Sequence, residues 1–66
     1  MGLSAEQFRD LRLTAKVSLL RLAAHTGLPS SYIEQIETGD VVALESDLAR
    51  LARAVEEIVA QRKARR

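Results

Sequence analysis

His25 is the only histidine in the chain, and there is no cysteine. A metal centre needs several His, Cys or carboxylate ligands at short, regular spacings, and none accompanies His25. His25 therefore reads as a solvated helical residue, and no metal is expected. The serines lack a partnering base and an orienting acid, so nucleophilic catalysis has no support. Nothing points to an enzyme, a cofactor or a small-molecule substrate. What remains is the chemistry of a surface: charge and hydrogen bonding. The formal net charge is only +1, but it is unevenly spread. Arg9, Arg12, Lys16 and Arg21 come early, and Arg62, Lys63, Arg65 and Arg66 come last. Between Arg21 and Arg50 there is no lysine or arginine, while Glu34, Glu37, Asp40, Glu45 and Asp47 all fall there.

The elements that must position these groups centre on Ser18 to Gly39. Leu22, Ala23 and Thr26 make one helical face before Gly27, and Ile33 and Ile36 make another after it. Gly27 falls where a helix must end and the chain reverse, a place that favours positive φ. Ala23, one turn earlier, leaves room for a second helix to cross closely. Two helices joined by a short glycine-bearing turn are the outline of a helix-turn-helix.

The flanking elements follow from local signals. Ser4 with Gln7 fits a capping box, so helix 1 is predicted over about residues 4–15, with Phe8 and Leu11 facing the core. Ser18 caps helix 2, about residues 18–26. Pro29 suits a first helical turn, which places helix 3 at about residues 29–38. A loop from Asp40 to Leu44 turns its valines inward. Helix 4, about residues 45–63, would be ~28 Å long at 1.5 Å per residue. Its stripe of Leu44, Leu48, Leu51, Val55 and Ile58 repeats at spacings of four and three. The tail RKARR reads as frayed. At 66 residues the chain makes one domain, residues 1–66, with a small core of aliphatic side chains and only Phe8 and Tyr32 aromatic. The fold class is all-α, with no disulfide available to staple it. No apolar run approaches membrane-spanning length and no signal-peptide pattern opens the chain, so a cytoplasmic protein is expected.

Leu11-Arg12, Ser18, Leu22-Ala23, Gly27, Ile33-Glu34-Gln35-Ile36-Glu37 and Gly39 stand in one register. Together they resemble the Cro/C1-type (XRE) helix-turn-helix family over about residues 8–55. The resemblance implies a small lambda-repressor-like bundle, here of four helices with a long last one where the family commonly has a fifth. It also implies helix 3 in the DNA major groove, generally as a dimer on paired half-sites. By the phage-repressor pattern Ser30, Ser31 and Gln35 would face the groove, with Pro29 and Tyr32 beside them. Gln can pair bidentately with adenine and Ser can contact bases or phosphates. The alternative is that both serines cap helix 3 and Gln35 is merely solvated. Ser18 at the start of helix 2, with Lys16 and Arg21, would serve the phosphates. The family's Arg and Glu at the Arg12 and Glu37 positions commonly pair, tying helix 1 to the end of helix 3.

The chain also departs from operator-binding relatives. Leu19 stands where they usually carry a glutamine that touches the DNA backbone. Ser30, Glu34 and Asp40-Val41-Val42 occupy places that often hold Lys or Arg. The segments SLLRLA and SYIEQIETGD look closer to the RodZ-like branch, in which the same fold docks on a protein filament. Leu19, Leu20 and Tyr32 could then form an apolar docking patch. Ile58 and Val59 are expected to reach beyond the bundle and meet a second copy, giving a homodimer through helix 4. Two functions follow: a DNA-binding domain of a bacterial transcriptional regulator, or a protein-docking module with little DNA binding. Double-stranded DNA is the leading partner and a protein partner the alternative. Function lives in the surface, so the fold does not choose between them.

Overall fold

The computed structural model describes residues 2–65. Met1 of the expected loose start and Arg66 of the basic tail lie outside the described residues. Four helices follow one another: α1 (Ala5–Ala15), α2 (Leu19–Thr26), α3 (Ser30–Thr38) and α4 (Glu45–Ala64). Among the described residues there is no strand.

Each boundary has a local cause. Ser4 Oγ accepts the Gln7 N–H at 3.0 Å, and Gln7 Oε1 accepts the Ser4 N–H at 2.9 Å, which closes a capping box. α1 ends at Lys16, whose φ of 57° is the one positive value on a non-glycine residue among the described residues. That left-handed step is uncommon for a side chain with a Cβ. It is followed at once by Val17, which is buried in the core. Ser18 Oγ accepts the Arg21 N–H at 3.0 Å and so caps α2. Gly27, at φ 80°, ends α2. Thr26 staples this turn: its hydroxyl donates to Leu22 O at 2.9 Å and accepts from Leu28 N–H at 3.2 Å. Gly39, at φ 85°, ends α3 in the same way.

The core gathers Phe8 from α1, Val17 from the first turn, Leu22 from α2, Ile33 and Ile36 from α3, and Leu48, Leu51, Ala54, Val55 and Ile58 from α4. Ile58 is thus a correction to the expected dimer surface. It is 1% exposed within its own chain, because the other helices cover α4 as far as Ile58, and Val59 beside it is half-buried. The loop before α4 brings a second correction. Val41 and Ala43 pack on the core, but Val42 is 97% exposed and Leu44 67%. Exposure alternates here as in an extended chain, where successive side chains point to opposite sides. Leu44 is still in extended backbone, at φ −68° and ψ 144°, so the helical stripe does not govern it.

α4 is a spine to which the other helices are tied. Near its start Asp47 accepts the Tyr32 hydroxyl at 2.7 Å, and Arg50 donates to Thr26 O at 2.7 Å at the end of α2. Further on Glu57 meets His25 Nε2 at 2.9 Å, and Gln61 Oε1 accepts from Arg21 at 3.3 Å. Arg62 ends the series by donating to Ala15 O at 2.5 Å and to Lys16 O at 2.8 Å. The tail is therefore not frayed at Arg62, and the helix runs on to Ala64. The carbonyls at a helix C-terminus lack intrahelical donors and attract cations, so Arg50 and Arg62 supply what α2 and α1 leave open. Arg62→Ala is expected to cost about 1 kcal/mol and to lower the melting temperature by about 4–8 °C. A thermal melt followed by circular dichroism checks this, with Arg62→Lys recovering only part of the loss because a lysine ammonium lacks the planar fork whose two nitrogens each meet one carbonyl.

Candidate nucleic-acid interface

The open ends of α2 and α3 meet in one groove, lined by Leu19, Leu20, Ser30, Ser31, Glu34, Gln35 and Asp40. α3 supplies most of it because its two faces differ sharply. Ile33 and Ile36 are fully buried, whereas Ser31, Glu34, Gln35 and Thr38 are exposed. The serines are the first two residues of the helix, and they do not cap it. Pro29 holds the N-cap position with no side-chain hydrogen bond, which removes the expectation that Ser30 and Ser31 act as caps. Pro29 itself is exposed and lies outside the groove lining. The side chains of Ser30, Ser31, Glu34, Gln35 and Asp40 make no hydrogen bond or ion pair among the described residues. Their donors and acceptors face solvent.

The remaining expected site residues fall into two groups. Ser18 caps α2 beside the groove, and the exposed Lys16 precedes it by two residues at the left-handed corner. Arg21 goes elsewhere: its guanidinium reaches Gln61 on α4, and Arg21 is not among the groove residues. Tyr32 also turns away. Its hydroxyl is held by Asp47 at 2.7 Å, and that hydrogen bond is the first cause that raises its pKa above the ordinary tyrosine value. The apolar patch of Leu19, Leu20 and Tyr32 is therefore not assembled, because one helical step carries Tyr32 round to the α4 side. Leu20 remains 75% exposed, while Leu19 is half-buried against the core.

Behind the groove α3 is anchored to α1. Arg12 Nε donates to Glu37 Oε2 at 2.5 Å and a terminal nitrogen to Oε1 at 2.8 Å, a bidentate pair. The other terminal nitrogen donates to Val17 O at 2.9 Å, so one guanidinium holds α1, α3 and the first turn together. The hydrogen bond to Glu37 raises the Arg12 pKa further above its ordinary value, against the opposing effect of burial. Glu37 is consumed by this pair and adds no free charge to the groove. His25 is exposed, as expected of a solvated helical residue, and its Nε2 also lies 2.9 Å from Glu57 on α4. Among the described residues no cluster of three or more His, Cys, Asp or Glu could hold a metal ion.

Sequence reasoning missed the residues that position the groove from α4: Asp47, Arg50, Glu57 and Arg62. Their partners lie 15 to 47 residues away in the chain, and local spacing carries no sign of them.

No described helix is long and apolar enough to cross a membrane. No curated protein and no solved structure matches the chain. A family model described as a helix-turn-helix domain matches residues 5–64. That span takes in all four helices and the Gly27 turn between α2 and α3. The chain belongs to the helix-turn-helix domain family.

Proposed function

We propose that the chain is a DNA-binding domain of a Cro/C1-type transcriptional regulator that lays α3 in the major groove. One observation carries this reading: α3 presents Ser31, Glu34 and Gln35 to solvent on one face, anchored by Ile33 and Ile36 on the other. A helix so placed offers hydrogen-bonding side chains to base edges without disturbing its own packing. The N–H groups at the starts of α2 and α3 face the flanking phosphates, and Lys16 adds a charge at the α1–α2 corner. The cytoplasmic, bacterial setting goes with the Cro/C1 resemblance. Binding on paired half-sites needs a second copy, and with Ile58 buried its contact through α4 would rest on Val59 and the exposed last turns.

A protein-docking role is the second reading, and the 75% exposure of Leu20 in a groove that also holds Glu34 and Asp40 favours it. No lysine or arginine lines that groove. Salt dependence separates the two. Each phosphate contact contributes about 0.9 log units of affinity per log unit of salt. With few cations at the interface the expected slope corresponds to roughly two or three contacts, at micromolar or weaker affinity. Lys16→Ala should reduce the slope by about one and weaken all sequences alike, whereas Gln35→Ala should relax preference at one position. Fluorescence titration of short duplexes at several salt concentrations checks this, with chemical-shift mapping to place the contacts. No shift at Ser18, Ser30, Ser31 or Gln35 at low salt would favour docking instead.

A further inference from the structure

Of the two carboxylates in the groove, Glu34 stands on α3 itself and Asp40 in the loop beyond it, so Glu34 is the one that a helix laid against DNA should least tolerate. It is exposed, it lines the groove beside Ser30, Ser31 and Gln35, and no cation among the described residues neutralises it. A carboxylate only accepts hydrogen bonds, and the DNA backbone offers it none. In the major groove guanine presents N7 and O6, and thymine presents O4 and a methyl group. None of these can donate to a carboxylate. Donors come only from the amino groups of cytosine and adenine. Gln35, the next residue on the same groove wall, has both a donor and an acceptor and so matches adenine bidentately. The acceptor-only group matches cytosine N4.

We propose that Glu34 is a specificity-determining residue that accepts a hydrogen bond from cytosine N4, in the site where Gln35 takes adenine. The inference rests on the DNA-binding reading above. Its logic is rejection as much as attraction: a base step that puts guanine or thymine under Glu34 leaves a desolvated carboxylate against acceptors. The domain then gives up general affinity for DNA and gains discrimination at one position.

Selection from a randomised duplex pool, with the bound fraction sequenced, tests this using the whole chain and its Glu34→Gln variant. The Glu34 side chain makes no hydrogen bond or ion pair within the described residues, so the variant should fold normally, which circular dichroism verifies. The parent should favour cytosine at one position by about tenfold. Glu34→Gln should flatten that position, keep the preferences elsewhere, and bind unselected DNA several-fold more tightly. An unchanged cytosine preference in Glu34→Gln overturns the proposal while leaving DNA binding intact. So does tighter binding of the variant with an identical selected sequence, which would make Glu34 a general repellent only. If neither folded protein retains any duplex at low salt, the DNA-binding reading fails and this proposal fails with it.

Discussion

Arg12→Ala should lose about 3–5 kcal/mol of stability, the usual result of removing one member of a buried ion pair. The figure follows from what is left behind more than from what is lost. Glu37 has a side chain only 5% exposed, and without Arg12 its carboxylate stays in the protein with no counter-charge. Val17 O loses its guanidinium donor as well, beside a side chain buried in the core. At roughly 0.05–0.15 kcal/mol per residue, a domain of this length holds on the order of 3–10 kcal/mol in all. The variant should therefore melt at least about 12 °C below the parent, and a large fraction should be unfolded at room temperature. Urea denaturation followed by circular dichroism measures it. Glu37→Gln should cost less, because its amide oxygen still accepts from Arg12 and no charge is stranded on the carboxylate side. Replacing both residues by Met and Leu should recover much of the loss, since apolar side chains fill such sites at little cost. A melting point for Arg12→Ala within about 2 °C of the parent would contradict the account.

The four helices were legible in the sequence because their boundaries are written in short-range chemistry. Ser4 with Gln7, Ser18, Gly27 and Gly39 each act within four residues, and each stands at a helix boundary. The core stripe from Leu48 to Ile58 was legible for the same reason, since helical spacing is local. How far the stripe would be covered was not. That depends on where α1 ends against α4, and Arg62 reaching Ala15 and Lys16 brings the two ends together. The loop was misread because an inward valine pattern assumes one face, whereas Val41 to Leu44 alternates between two.

In the groove, the one-sided chemistry of α3 could be read from the IEQIE spacing, because burial of Ile33 and Ile36 turns Glu34 and Gln35 outward. The directions of Arg21 and Tyr32 could not. Both are long side chains at the edge of the groove face, and each is drawn toward α4 by a partner, Gln61 or Asp47, that no spacing rule connects to it. The result is a groove with less positive charge than a count of nearby basic residues suggests.

The largest effect of all is expected at Ile58. It is 1% exposed and lies in the same buried cluster as Phe8, Leu22 and Val55. Trimming it to alanine should cost about 2–5 kcal/mol, the range for removing a large aliphatic side chain from a packed core. Ile58→Asp goes further, because a carboxylate placed there has no partner and must be desolvated or protonated. That penalty is comparable to the whole stability of so small a domain, so Ile58→Asp should show no cooperative melt. Val59→Asp, one residue on and half-buried, can turn its carboxylate toward water and should remain folded with a modest loss. The pair of variants distinguishes burial within the chain from a role in binding a second copy. Were Ile58 a dimer contact, Ile58→Asp would give a folded monomer in sedimentation, with its helical signal intact. Burial predicts the opposite order: Ile58→Asp unfolded, Val59→Asp folded. The same circular dichroism scan reads both.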